Sequence, residues 1–275
     1  MKAFDKYLNA LPVMPDIAAK IVSIPEDNIN ISFKDLEELI RVDPGLTTKI
    51  LKVANSAMYA RQTEITSLQI AITMLGFKTI KSLVFLVSAS NMFKKGKERE
   101  FYQYFWKHSI MTAFLAQNIA IKGGFKRLAD EAFLGGLLHD IGRAAMYQSD
   151  NELYMKVSSE DDERKFFEAD HREIGEAILD SWNFPPIYVD TAREHSSLNI
   201  TSQFKTVILI ISAADLLSGH FSDSTLAEID DEKLNAFLMR INLKPTDKDF
   251  YINDFYSQLS KMPLFQECSS LFGLA

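Results

Sequence analysis

Apolar residues recur at three- and four-residue intervals along most of the chain, and almost no stretch alternates apolar with polar residues. The first spacing is that of the buried stripe of an α-helix, whereas a half-buried strand alternates with a period of two. Helix-start patterns agree, because Ser32 and Asp35 have the spacing of a capping box and Asp43 precedes Pro44. We therefore predict an all-α fold.

A short charged stretch at 94–99 interrupts this apolar pattern. We predict a helical subdomain of about five helices over residues 1–93 and a second helical bundle over residues 94–220. The first long helix of the second bundle is predicted to begin near Glu98 and to end at Gly123-Gly124, since glycine is common just past a helix C-cap. Amphipathic stretches at Glu232–Ile241 and Asp249–Leu259 predict packing helices over residues 221–275.

The charge balance limits the classes of partner. The chain of 275 residues has 30 Lys and Arg against 37 Asp and Glu, a formal net charge of −7. Non-specific nucleic-acid binding is not expected, because no basic excess is present to neutralise phosphates. The one small basic run is interpreted as a solvated linker and comprises Lys94, Lys95, Lys97 and Arg99. Lys78 and Lys81 lie near the start of an apolar helix and could face either a phosphate or water, of which water is expected.

Cysteine content and hydropathy bear on the compartment. A single cysteine, Cys268, cannot form an internal disulfide, which favours a reducing environment. The most apolar window, 207–217, is interrupted by Ser212 and Asp215 and falls short of the ~20 residues needed to cross a bilayer. We expect a cytoplasmic protein with no membrane span.

Histidines supply the first candidate chemistry. His108 shares a helical stripe with Phe105 and Leu115, and His171 shares one with Ile174, so both imidazoles are predicted to face inward. An isolated inward histidine is more often a core residue than a ligand. Whether these histidines are core residues or ligands therefore depends on which other inward-facing polar residues lie in the predicted bundle of residues 94–220.

Asp215 is harder to explain as a core residue. It lies within the apolar run VILIISAADLLSG, and no lysine or arginine stands one turn away. A buried carboxylate without a partner costs several kcal/mol, so it needs a cation, a metal or strong donors. A salt bridge from a distant arginine is one alternative. The other is that His108, the adjacent pair His139-Asp140 and Asp215 converge on one divalent metal.

The types of ligand restrict the metal. Imidazole nitrogens together with carboxylate oxygens suit Fe, Mn, Zn, Ni or Co rather than calcium or a thiolate-selecting metal. A metal held by such ligands with open coordination positions lowers the pKa of bound water toward neutrality. This is the chemistry needed to hydrolyse a phosphoester.

Several long motifs in order extend this interpretation. They are LPVMPDIAAKIV, DPGLTTKILKVANSAMY, ITSLQIAITMLGFKTIKSLV, FWKHS, AFLGGLLHDIGR and HREIGEAILDSWNFPPIYVDTAREH, between Leu11 and His195. In these motifs the chain resembles the HDOD family, the HD-related output domain of bacterial signalling proteins. Its quartet of His108, His139, Asp140 and Asp215 resembles the metal ligands of the HD superfamily of phosphohydrolases.

The resemblance implies two helical subdomains, the second an HD-like bundle with the metal site, in a bacterial regulatory protein. His171 and His195 match positions that belong to a two-metal site in the related HD-GYP cyclic di-GMP phosphodiesterases, so they are possible second-metal ligands. Arg143 stands where active HD hydrolases usually carry lysine and is a possible phosphate contact. The GYP motif is absent, and Glu194 replaces one histidine of a common pair.

Two functional hypotheses follow. The first is a signalling adaptor that binds a protein partner or a nucleotide messenger, with the metal quartet as structural support or ligand pocket. The second is a metal-dependent phosphohydrolase, a phosphodiesterase acting on a nucleotide or cyclic dinucleotide. The intact quartet favours the enzyme, whereas the family resemblance and the departures at Arg143 and Glu194 favour the adaptor. The helices of the C-terminal tail fit either a homodimer or closure of the bundle.

Overall fold

The structure is a computed structural model that describes residues 4–25, 32–57, 65–92, 99–222 and 228–274. Every regular element in these ranges is a helix, which confirms the all-α prediction. Lys94, Lys95 and Lys97 lie outside the described residues, as does the predicted start of the long helix at Glu98. One apolar core extends through the described chain and includes residues from every region of it.

In the described part of the chain before the charged stretch, the helices are α1 (Asp5–Ala10), α2 (Asp16–Val22), α3 (Phe33–Arg41), α4 (Pro44–Ala57), α5 (Leu68–Leu75) and α6 (Phe77–Met92). The predicted capping box is present, because Ser32 Oγ accepts from the Asp35 N–H and the Asp35 carboxylate accepts from the Ser32 N–H. Helices α2 to α6 pack on one another, whereas α1 packs against α9 (Ile141–Ser149) and α12 (His171–Ser181). The first helix of the chain therefore supports the bundle that carries the histidines.

Gly76 makes the sharp bend between α5 and α6. Its φ of +83° lies in the left-handed region, which side chains with a Cβ rarely adopt. No single described helix is long and apolar enough to cross a membrane; α5 and α6 meet that test only as a pair, bent by 120°.

The second group of helices surrounds α7 (Arg99–Lys122). The others are α8 (Ala129–Leu138), α9, α10 (Asn151–Tyr154), α11 (Glu160–Phe167), α12, α13 (Pro186–Glu194) and α14 (Lys205–Ser222), with a 3₁₀ turn at Lys126–Leu128. Helix α7 packs against α8 and α14 and ends directly before Gly123, with Gly124 at φ +88°, as the glycine pair predicts. It thus forms the centre of the bundle.

The C-terminal helices close this arrangement. They are α15 (Asp231–Arg240), α16 (Asp247–Phe250), a π-helical turn (Tyr251–Phe255), α17 (Tyr256–Leu259) and α18 (Pro263–Ser270). Helix α15 packs on α14, while α18 packs on both α4 and α7. Beyond α18, the ring of Phe272 stacks on Trp106 with 4.4 Å between centroids. The tail therefore joins the N-terminal helices to the bundle.

The expectation that Lys81 faces water is wrong, whereas Lys78 is 34% exposed and only partly faces water. Lys81 is fully buried, its Nζ donates to the Ile24 carbonyl at 2.7 Å, and Lys78 pairs with Glu131. The reason is that α6 is covered by α2, α4, α5 and α8, so several of its polar residues, including Lys81, lie inside the protein.

Candidate metal centre

All six predicted ligand residues lie in one cluster. Helix α7 supplies His108, α14 supplies Asp215, His171 is the first residue of α12, and His195 directly follows α13. His139 and Asp140 occupy the two-residue break between α8 and α9. Groups of three among these residues have ligand atoms within 4.8 Å of one another and could hold a metal ion. The convergence expected from the sequence is therefore present in the fold.

Backbone packing brings the His139-Asp140 break to the centre of the cluster. Leu137 and Leu138 are buried at the end of α8, and the chain turns at Asp140 before α9 begins. Gly142 then lies so close to α12 that an added Cβ would stand 1.9 Å from the carbonyl oxygen of His171. This close approach puts Asp140 beside the first turn of α12.

The cluster consists of two adjoining subsites that share Asp140. Subsite A is formed by His108, His139, Asp215 and Oδ2 of Asp140. Here His108 Nε2 lies 3.2 Å from His139 Nε2, 3.1 Å from Asp215 Oδ1 and 3.6 Å from Asp140 Oδ2. His139 Nε2 lies 3.5 Å from Asp215 Oδ1.

Subsite B is formed by His171, His195 and Oδ1 of Asp140. The two Nε2 atoms are 3.3 Å apart, and they lie 3.4 and 3.5 Å from Asp140 Oδ1. Each oxygen of this carboxylate thus faces a different set of imidazoles. The Asp140 carboxylate could therefore serve as a ligand in both subsites.

These separations match the edges of a coordination polyhedron. With metal–ligand bonds of about 2.1 Å, adjacent ligand atoms are roughly 3.0 Å apart in an octahedron and roughly 3.4 Å apart in a tetrahedron. The Nε2–Nε2 distances of 3.2 and 3.3 Å fall between those values. These nitrogen pairs are therefore spaced as two ligands of one divalent ion would be.

The outer nitrogen of every cluster histidine is anchored. Nδ1 of His139 donates to the Gly136 carbonyl at 2.8 Å, and Nδ1 of His195 donates to the Ala192 carbonyl at 2.9 Å. Two further partners complete the set, the Glu163 carboxylate at 2.7 Å from His171 Nδ1 and Ser218 Oγ at 3.2 Å from His108 Nδ1. Anchoring of this kind fixes the orientation of each ring and turns its Nε2 toward the cluster, as in metal-ligating histidines.

Several buried side-chain atoms of the described residues lack a hydrogen bond, and two of them, Asp140 Oδ1 and Arg143 Nε, lie at the cluster. Asp140 is only 6% exposed, so its Oδ1 has little access to water. A buried, unpartnered carboxylate oxygen is costly, and facing Nε2 lone pairs do not bond each other without a proton between them. A cation between these atoms would satisfy both.

The electrostatics of the cluster favour a cation. Burial alone would lower the pKa of His139, but the carboxylates of Asp140 and Asp215 raise it to about 9. Burial opposes ionisation of Asp215, yet the facing imidazoles hold its pKa well below the usual range. In the same way, Arg143 and the imidazoles keep the pKa of Asp140 low against the effect of burial. Two ionised carboxylates therefore face the histidines at subsite A.

Arg143 and Glu163 cover the cluster beside subsite B. Arg143 Nε lies 3.0 Å from Asp140 Oδ2, and Nη1 lies 3.2 Å from Glu163 Oε1. Glu163 is 1% exposed, and its Oε2 accepts from both Nδ1 and the backbone N–H of His171. Sequence reasoning missed Glu163, which stands among the acids of EDDERKFF; the available signal was its position one turn before the buried Phe167.

The Glu194 carboxylate is hydrogen-bonded outside the cluster. Its carboxylate accepts from the Thr201 N–H at 2.8 Å, the Ser202 N–H at 3.2 Å and the Thr201 hydroxyl at 2.7 Å. It therefore holds the loop after α13 instead of facing the cluster. The fifth histidine, His220, lies toward the end of α14 with its ring against Phe221.

A cavity of about 220 Å³ leads from the surface to the cluster. At its inner end are polar groups of His108, Asp140, Arg143 and Asp215. Its wall is mainly aromatic and consists of Phe101, Tyr104, Phe105 and Tyr154, with Gly219. A ligand in this cavity would contact both the carboxylates of subsite A and the guanidinium of Arg143.

Comparisons with known proteins agree with the resemblance to the HDOD family and with the all-α fold. The sequence profile of the HDOD domain matches residues 11–198. An uncharacterised protein of Treponema pallidum (strain Nichols) is 23% identical over 215 residues, which are 74% of this chain and 42% of that protein. The chain thus spans less than half the length of this curated relative.

Solved structures share the fold. An HDOD protein of unknown function from Geobacter sulfurreducens has a TM-score of 0.72 at 19% identity, covering 99% of this chain and 98% of the other. A protein of Shewanella amazonensis SB2B, named for a proposed phosphohydrolase activity, has a TM-score of 0.70 at 22% identity, with 99% and 98% covered. A Marinobacter aquaeolei VT8 protein, named for a proposed role in signal transduction, has a TM-score of 0.74 at 19% identity, with 96% and 60% covered.

Proposed function

Because the chain belongs to the HDOD domain family, we propose that it is a bacterial signal-transduction protein with a divalent metal centre that binds a phosphate-bearing nucleotide messenger. In this proposal residues 1–93 form an N-terminal subdomain, residues 94–220 the HD-like metal-site subdomain and residues 221–275 the packing helices. Binding of the messenger at the centre would change how the helical surface of the protein binds a protein partner.

One observation carries this proposal. Neighbouring ligand atoms among four imidazole Nε2 groups and the carboxylates of Asp140 and Asp215 lie 3.1 to 3.6 Å apart, while every one of these Nδ1 atoms has a partner outside the cluster. A histidine that only packs in the core does not require a second imidazole nitrogen or a carboxylate oxygen within 3.6 Å of its Nε2. Mixed imidazole and carboxylate ligands fit Fe, Mn, Zn, Ni or Co.

The cavity connects this centre to a ligand. When bound, a divalent ion would supply Lewis-acid attraction for a phosphoryl oxygen and a water of lowered pKa. The imidazoles of His108 and His139 and the carboxylate of Asp215 would hold the ion, and the aromatic wall would exclude water around the ligand. Tyr104, which lines the cavity and is 52% exposed, would contact the base of a bound nucleotide.

Hydrolysis of a phosphodiester is the second candidate function. The access of the cavity to His108, Asp140 and Asp215 favours it, because a phosphoryl group could reach the ligand cluster. The position of Arg143 argues against it, since the guanidinium already pairs with Asp140 and Glu163. A phosphate contact from Arg143 would have to compete with both carboxylates.

Metal analysis tests the proposed centre. The protein is purified anaerobically from metal-replete cells, and its metal content is measured by elemental analysis. We expect at least one transition-metal ion per chain and a large loss in His139→Ala and Asp140→Ala. His220→Ala is the matched control, because His220 is also in the bundle but outside the cluster, and it should keep its metal. A metal-free wild-type protein would refute the proposal.

A ligand screen then separates binding from hydrolysis. Mononucleotides, cyclic nucleotides and cyclic dinucleotides are titrated into the metal-loaded protein, and products are followed by chromatography. Metal-dependent binding without turnover supports the messenger-binding function. Turnover that disappears in His108→Ala and Asp215→Ala would establish the hydrolase instead, and binding that persists in these variants would place the ligand elsewhere.

A further inference from the structure

The two subsites differ in the charges that surround them. We propose that the guanidinium of Arg143 opposes a cation at subsite B, so that the protein holds one ion tightly at subsite A and a second only at much higher metal concentration. This inference rests on the proposed function, because it requires the cluster to bind a divalent ion.

Ligand charge is the first reason for the difference. Subsite A has two carboxylates, Asp140 and Asp215, with two imidazoles, so two negative charges offset the charge of a divalent ion. Subsite B has two imidazoles and only the other oxygen of the shared Asp140. Buried ions are stable only where the surrounding charges compensate them, which favours subsite A.

The placement of Arg143 is the second reason. Its Nη2 lies 3.5 Å from His171 Nε2, the atom that would donate to an ion at subsite B. Like charges at such separations repel strongly where solvent access is limited, and the Arg143 side chain is only 35% exposed. The same guanidinium also contacts the subsite A oxygen of Asp140, with Nε 3.0 Å from Oδ2, but subsite A has the second carboxylate of Asp215 to compensate an ion and subsite B does not.

Glu163 prevents Arg143 from moving away. Its Oε1 lies 3.2 Å from Arg143 Nη1, and its Oε2 is held by the N–H groups of His171. Rotation of the arginine into solvent would leave the buried Glu163 carboxylate without its cation, which is unfavourable. The charge of Arg143 is thus a fixed part of subsite B.

Manganese(II) titration of the full chain tests the inference. The metal-free protein is titrated by calorimetry, and the bound ions are counted after dialysis. We expect wild type to bind one ion, with a second at least tenfold weaker. In Arg143→Met the second ion should bind at least tenfold more tightly than in wild type, with the first affinity altered less. In Arg143→Lys, which keeps the charge, binding of the second ion should stay weak.

Arg193→Met is the matched control. It removes the same charge from a side chain that is 38% exposed and pairs with Glu176, Asp190 and Glu194, none of which is a cluster ligand. Its two affinities should equal those of wild type. If Arg143→Met does not fold, the double variant Arg143→Met/Glu163→Gln removes both charges of the pair and carries the same expectation.

Each outcome has a distinct meaning. A wild-type protein that binds no manganese refutes the metal centre itself, and this inference with it. Two ions of equal affinity in wild type would overturn the inference alone. So would an unchanged second affinity in the Met variants, or an equal gain in Arg143→Met and Arg143→Lys, since a shape effect would then replace the charge effect.

Discussion

Gly142 of α9 determines how closely α9 approaches α12 beside the metal centre. A Cβ at this position would lie 1.9 Å from the His171 carbonyl oxygen and 2.8 Å from the Gly175 backbone nitrogen. Both atoms belong to the backbone of α12, which cannot rotate away as a side chain can. The absence of a side chain at Gly142 is therefore a condition for placing Asp140 beside His171.

We expect Gly142→Ala to lower the free energy of unfolding by about 3 kcal/mol, because overpacking against backbone forces helices apart. Urea unfolding of the metal-free protein measures the loss. Gly219→Ala is the control, since an added Cβ there meets no atom within 4 Å and alanine favours the interior of α14. Equal stability of the two variants would contradict the close-contact role of Gly142.

Single residues differ in how far sequence could predict them. His108, His171 and Asp215 were predictable, because each lies on an apolar helical stripe where a polar group requires a partner. Glu163 was not, since its role depends on where α11 crosses the start of α12. The burial of Lys81 was missed for the same reason: the pattern of α6 does not reveal how many helices cover it.

At the scale of the element, the start of α12 links helix capping to the centre. Asp170 precedes His171 and accepts from the N–H groups of Arg172 and Glu173, both at 3.0 Å. It also pairs with Arg164 at 2.6 Å, and only 1% of the residue is exposed. Burial alone would raise the pKa of Asp170, but these donors hold it well below the usual range.

Asp170→Ala should cost about 2 kcal/mol of stability, from the lost cap and the uncompensated arginines, and Asp170→Asn should cost less because its amide oxygen still caps the helix. The depressed pKa means that the ionised form stabilises the fold above the unfolded-state pKa, near pH 4, and that this stabilisation is lost as pH falls further. The stability gap between wild type and Asp170→Asn, measured by urea unfolding at several pH values, should shrink below pH 4. A constant gap would exclude an ionic contribution from Asp170.

The observed helix ends agree with the predicted ones where the sequence contains capping residues. The starts of α3 and α4 and the end of α7 coincide with Ser32, Asp43 and Gly123-Gly124. The predicted helix Asp249–Leu259 instead contains a π-helical turn at Tyr251–Phe255, with Tyr251 fully buried. Apolar periodicity indicates a helix there, but it does not distinguish a local widening from regular α-helical turns.

At the scale of the molecule, α18 connects the N-terminal helices to the bundle. It packs on α4 and α7, and Lys52 of α4 pairs with Glu267. The next residue, Cys268, is fully buried, and burial raises the pKa of its thiol to about 12. The thiol of the folded protein is therefore both inaccessible and protonated at neutral pH.

Reaction of Cys268 with a thiol reagent at pH 8 should be slow in the native protein and should require release of α18. Phe272→Ala, which removes the ring stacked on Trp106, should speed the reaction at least tenfold. Met262→Ala is the control, because Met262 is 41% exposed at the start of the same helix. Rapid labelling of Cys268 in the wild-type protein would show that α18 is not held firmly against α4 and α7.

Metal binding should stabilise the molecule unevenly. The ligands come from α7, the α8–α9 break, α12, the end of α13 and α14, whereas none comes from α2 to α6. Manganese(II) at about 100 times its dissociation constant should stabilise the ligand-bearing unit by about 2.7 kcal/mol, because the unfolded chain lacks the site. Hydrogen exchange should therefore slow in α7, α12 and α14 and change little in α2 to α5, while Asp215→Asn should show neither effect. Equal slowing in both regions would mean that the N-terminal helices and the bundle open as one cooperative unit, so that occupancy of the centre would be felt across the whole molecule.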